Sequence, residues 1–161
     1  MTVKKKLSGW LDERGVEEVE CLVPDMGGVA RGKITPAKKF VSGIGNQSLR
    51  MPEEIFILTV TGRYVQEANV TRPEASDIYL KPDASSIRMV PWYAEPTAQV
   101  ICDCFYLDDS PVDISPRYVL QRVLKMYEDK GWKPVVAPEL EFYLVEKNSD
   151  PDYPLEPPVG R

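Results

Sequence analysis

Apolar and polar positions change period several times along this 161-residue chain, and each change marks an element. Within residues 4–14, Leu7, Trp10 and Leu11 recur at helical spacing and Gly15 follows, which predicts a short amphipathic helix with a glycine stop. Residues 16–23 alternate as a strand does. Pro24-Asp25-Met26-Gly27-Gly28 is dense in turn formers and residues 29–34 can return as a partner, so a hairpin with a glycine-rich tip is expected. Residues 36–41 predict a helical turn and residues 42–48 a loop. The unbroken run Ile55-Phe56-Ile57-Leu58-Thr59-Val60 reads as a buried strand ending at Thr61-Gly62, and residues 63–76 keep no period and read as a long loop. Residues 77–81 and 87–90 flank Pro82-Asp83 as a second hairpin, Trp92 is expected as a packing anchor, and one more strand follows over 98–107.

A boundary follows at Asp108-Asp109-Ser110-Pro111. Ser115 suits an N-cap and Pro116 the first helical position, after which Val119, Leu120, Val123, Leu124 and Tyr127 mark an apolar stripe up to Gly131. Strands are expected over 134–137 and 139–144. Pro151, Pro154, Pro157 and Pro158 make residues 148–161 an extended loop. The pattern predicts an α+β fold with a helix within 1–15, strands dominating the first hundred residues, and an incomplete second unit after the boundary at 108–111. One helix and two strands cannot bury their own faces, so this last part is expected to need further chain.

Charge and cysteine content narrow the classes. A net charge of −5 argues against the basic surface that nucleic acid requires. No stretch approaches the roughly 18 apolar residues of a membrane helix, and Lys4-Lys5-Lys6 leads into no apolar signal segment, so neither a membrane nor secretion is expected. Three cysteines, Cys21, Cys102 and Cys104, fit a reducing compartment, and the expectation is a cytoplasmic protein. Cys102 and Cys104 share one strand face. Without any histidine in the chain a zinc site is disfavoured, and core packing is the expected role of these thiols. The lack of histidine also removes Ser-His and Cys-His chemistry.

Ala137-Pro138-Glu139-Leu140-Glu141-Phe142-Tyr143-Leu144 carries the candidate chemistry. On a strand Glu139 and Glu141 point the same way, about 6.5–7 Å apart, while Leu140, Phe142 and Leu144 point to the other side. Such a pair suits two neighbouring hard cations, and Mg²⁺ completes its shell with water and phosphate oxygens. A wet strand face that uses glutamate for solubility is the commoner origin of such a pattern.

Several stretches together resemble the amino-terminal third of a glutamine synthetase superfamily enzyme, closest to the γ-glutamylpolyamine (γ-glutamylputrescine) synthetase branch. They are Val19-Glu20-Cys21-Leu22-Val23-Pro24-Asp25 with Arg31-Gly32-Lys33, Asp77-Ile78-Tyr79-Leu80-Lys81-Pro82-Asp83, Val90-Pro91-Trp92, Ser115-Pro116-Arg117, the segment around Glu139 and Glu141, and Asp150-Pro151-Asp152-Tyr153-Pro154-Leu155 through Gly160-Arg161. The resemblance implies a β-grasp domain over 16–112 and the start of the catalytic domain from Asp113. It implies that Glu139 and Glu141 ligate two Mg²⁺ or Mn²⁺ ions. It further implies that ATP phosphorylates the glutamate γ-carboxyl, that an amine then attacks the γ-glutamyl phosphate, and that subunits assemble into a homo-oligomeric ring.

Ammonia-using members carry an aspartate in the β-grasp loop, and here Thr61-Gly62 stands at that place. Losing the carboxylate implies that the loop from Thr61 to Glu67 admits a bulkier amine such as putrescine, with Thr61 and Gly62 on the amine side; a Thr61 that merely ends a strand is the other reading. An ammonia-using glutamine synthetase and a non-catalytic β-grasp interaction module are the alternatives. Because the resemblance covers only the first third of such an enzyme, the chain alone is expected to lack ligase activity.

Overall fold

The structure is a computed structural model and describes residues 2–63, 77–150 and 152–159. Helix α1 spans Val3–Glu13; Thr2 caps it by accepting the Lys5 amide at 3.3 Å, and Gly15 at φ +58° lets the chain leave it. Strands β1 (Glu18–Pro24) and β2 (Ala30–Pro36) form the expected hairpin, followed by α2 (Ala37–Gly43) and a short β3 (Arg50–Pro52). From residue 77 onward come β4 (Asp77–Pro82), β5 (Arg88–Val90), β6 (Thr97–Phe105) and helix α3 (Pro116–Asp129).

The described strands make one sheet in the order β2-β1-β6-β4-β3, with β5 on β6. Strand β1 runs parallel to β6 in the register Glu18↔Thr97 to Leu22↔Ile101, and every other pairing is antiparallel. Strand alternation assigns the two faces. Val19, Cys21 and Val23 join Ala98, Val100, Cys102 and Cys104, Ile78 and Leu80 in the core, where Leu7, Leu11 and Phe40 of the two helices cover them. Gly32 allows a close approach within the hairpin, since a Cβ there would lie 2.4 Å from the Cys21 carbonyl oxygen. All three cysteines are buried and free, as core packing requires.

Four expectations are corrected. The run 55–60 is not a strand: Glu53–Ile57 forms a 3₁₀ turn that buries Ile55 and Phe56, because a short apolar run has no period that separates strand from helix. Strands β4 and β5 do not pair with each other. They lie end to end along the same edge of β6, with β5 opposite Thr97–Gln99 and β4 opposite Cys102–Phe105. Trp92, expected as a packing anchor, is 64% exposed. The strands expected over 134–137 and 139–144 do not form; residues 132–148 hold no regular structure and are exposed, because a strand needs a neighbour to take its amides and carbonyls. The expected long loop falls mainly on residues 64–76, outside the described residues.

Candidate functional site

Two places carry the sequence-derived candidates, and the structure treats them differently. Thr61 and Gly62 lie in a tight turn directly after the 3₁₀ segment. Thr59 accepts the Gly62 amide on its carbonyl oxygen at 2.9 Å and donates its own amide to the Arg63 carbonyl at 2.9 Å. Its hydroxyl accepts the Arg63 amide at 3.0 Å and lies 3.0 Å from the Thr61 hydroxyl. Gly62 sits at φ +79°, a backbone state that a side chain would disfavour. Val60, Thr61 and Gly62 are exposed at the surface of this turn.

Beneath the turn lies the tip of the β1–β2 hairpin. Arg31 donates from Nε to Asp25 Oδ2 at 2.7 Å and from Nη2 to the Thr59 carbonyl at 2.6 Å. Asp25 Oδ1 accepts the Val29 amide at 2.8 Å, and the Met26 amide reaches the Phe56 carbonyl at 3.4 Å. The Asp25 side chain is wholly buried. Burial pushes its pKa up, but the Arg31 bond and the Val29 amide outweigh this and hold the carboxyl below its usual range. Thr59–Arg63 carries no carboxylate, and the acid below it is already satisfied. Sequence reasoning left Arg31-Gly32-Lys33 without a role; the signal that could have found it was an arginine six residues after a turn aspartate.

Glu139 and Glu141 are solvent-exposed in an extended arm, and their expected apolar backing is exposed too, Leu140 by 87% and Phe142 by 76%. No group of three or more His, Cys, Asp or Glu side chains gathers among the described residues. The two carboxylates supply hard oxygen donors of the right chemistry for Mg²⁺ or Mn²⁺.

A third cluster joins α3 to the sheet face opposite the core. Arg117 bonds Asp103 on β6 at 2.7 Å and also bonds Asp83, while Gln121 adds 2.9 Å to Asp103. Asp83 accepts the Ser85 hydroxyl at 2.6 Å and the Ser85 amide at 2.9 Å, as expected of a turn residue. Ser115 occupies the N-cap position but makes no side-chain cap bond.

Comparison with known proteins places this geometry. Residues 113–160 match the family model for the glutamine synthetase catalytic domain, a match that includes Glu139 and Glu141. The chain is 30% identical over 142 residues to glutamate–isopropylamine ligase from a Pseudomonas species, covering 87% of this chain and 31% of that protein. It is 31% identical over 151 residues to gamma-glutamylputrescine synthetase PuuA of Escherichia coli, covering 88% of this chain and 30% of that one. The solved structure of a GmaS/ADP complex shares the fold at a TM-score of 0.58 and 22% identity, over 77% of this chain and 26% of that chain. This chain thus spans about a third of the length of the curated relatives it matches. On these grounds the chain belongs to the glutamine synthetase superfamily.

Proposed function

We propose that the protein carrying these residues is an ATP-dependent carbon–nitrogen ligase that joins the glutamate γ-carboxyl to an alkyl amine through γ-glutamyl phosphate. The observation that carries the reading is the turn itself: Thr59–Arg63 offers exposed hydroxyl and backbone but no carboxylate to hold a small cation such as ammonium. Two similar proteins are named for isopropylamine and for putrescine, which supports an amine larger than ammonia. Residues 16–112 are assigned as a β-grasp domain, supported by a β1–β2 hairpin whose first strand runs parallel to β6. Residues 113–161 are assigned as the start of the catalytic domain, supported by a family match that begins at Asp113.

Glu139 and Glu141 would hold the two divalent ions, whose positive charge offsets the crowded phosphate oxygens of ATP and glutamate's own carboxylate. The chain's contribution on the amine side is steric and polar. Thr61 and Gly62 shape the entry for the amine. A cytoplasmic location and a homo-oligomeric ring complete the reading.

The test is a steady-state comparison on the protein translated from the continuous reading frame that carries these residues. Putrescine or another alkyl amine is expected to give a higher kcat/KM than ammonium with ATP and glutamate. A higher value for ammonium overturns the assignment of the amine. The 161-residue chain alone is expected to release no phosphate from ATP in the presence of glutamate.

A further inference from the structure

We propose that Arg31 and Asp25 are positioning residues for the amine-side turn, setting the shape of Thr59–Arg63 from beneath and so controlling which amine is accepted. This rests on the reading that Thr61 and Gly62 face the amine. Thr59 is the hub of the turn: its carbonyl oxygen takes the Gly62 amide, its amide meets the Arg63 carbonyl, and its hydroxyl takes the Arg63 amide and meets Thr61. The same carbonyl oxygen also takes Arg31 Nη2 at 2.6 Å, from 28 residues away. Whatever fixes Arg31 therefore fixes the turn.

Asp25 fixes Arg31. A guanidinium is planar, so a bond from Nε to Asp25 and another from Nη2 to Thr59 leave little freedom about its plane. Asp25 is itself locked, with one oxygen on Arg31, the other on the Val29 amide, and its own amide on the Val29 carbonyl at 2.9 Å. The pair is almost wholly removed from water, with 17% of the Arg31 side chain and none of Asp25 exposed. Buried ion pairs are poor stabilisers against apolar replacements of the same size, and their best-attested use is to specify one arrangement over others. Above this fixed base, among the described residues of the turn, Val60, Thr61, Gly62 and Arg63 present themselves to solvent. The hairpin thus acts as a rigid mount, and the exposed turn as the part that meets ligand.

The test uses Arg31→Lys, which keeps the charge opposite Asp25 but cannot make both bonds in one plane. Amide exchange is read on the 161-residue chain at Gly62 and Arg63, and kinetics on the longer protein. The expected result is exchange faster by about tenfold at those two amides, as loss of one charged hydrogen bond implies, with hairpin amides such as Leu22 unchanged. The KM for the amine is expected to rise by a similar factor, about tenfold, while KM for ATP and kcat hold. Unchanged exchange at Gly62 and Arg63 overturns the brace. Faster exchange with an unaltered amine KM overturns its control of the amine. If the wild-type longer protein makes no γ-glutamyl amide at all, the functional reading fails while the exchange data still decide the brace. Should Arg31→Lys not fold, Asp25→Asn keeps the shape, removes the charge and is judged by the same readouts.

Discussion

Burial decides the chemistry of the three thiols. Burial and the neighbouring Asp103 charge push Cys104 up to about 12. Cys102 is raised by the contact with Cys21 and by burial, while that same contact lowers Cys21. A lowered value confers no reactivity on a thiol that solvent cannot reach. The native chain is expected to resist alkylation at mildly alkaline pH at all three positions and to react at all three in denaturant. Rapid native labelling of any one would contradict the packing described. Their role as core residues was legible because Cys21, Cys102 and Cys104 fall on the apolar phase of their strands. The Asp25–Arg31–Thr59 contact was not, since it joins two turns that only the folded hairpin brings together.

Among the elements, α3 and α2 make a useful contrast. Helix α3 has the amphipathic stripe that its sequence predicted, yet it buries none of its residues; Leu120 is 55% exposed, and Val123 and Leu124 are exposed beside it. Helix α2 is half as long but inserts Phe40 wholly into the core. Leu124→Gln is therefore expected to cost this chain less than about 0.5 kcal/mol. Phe40→Ala should cost about 3–5 kcal/mol through lost burial and a residual cavity. Urea unfolding of both variants checks the difference, and a large cost at Leu124 would mean that α3 packs more closely than described. Periodicity located both helices; it carried no information on what their apolar faces would meet.

For the molecule as a whole, the link between the sheet and α3 is mainly polar. Arg117 clamps Asp103 and Asp83, and Ser115 and Val112 are buried at the junction. The Ser85 hydroxyl and amide, with help from Arg117, hold Asp83 below the usual carboxylate range. A carboxyl lowered in the folded state contributes fully above its unfolded value and loses that contribution as pH falls through the folded one. Amide protection in the first turns of α3 should therefore persist at neutral and mildly acidic pH. It should begin to fail only below about pH 3.9, the unfolded aspartate value. Arg117→Gln should remove the same protection at every pH while leaving the β1–β6 amides unaffected. Loss of α3 and β6 protection together in that variant would show that the clamp supports the whole sheet instead.

Hydrophobic period and turn chemistry in the chain were enough to specify α1, the β1–β2 hairpin, α2 and α3, because each depends on contacts nearby in sequence, and to mark β6 as a strand segment without its partners. The order of the motifs along the chain also pointed to the superfamily. Whether residues 55–57 would curl or extend, which edge of β6 would take β4 and β5, and that a half-buried arginine would hold the turn at Thr59 were beyond the sequence. Those outcomes come from pairings across tens of residues, whose energies depend on geometry that local sequence does not encode. Glu139 and Glu141 show the same rule from the other side: an alternating pattern becomes a strand only where neighbouring backbone is present to complete its hydrogen bonds.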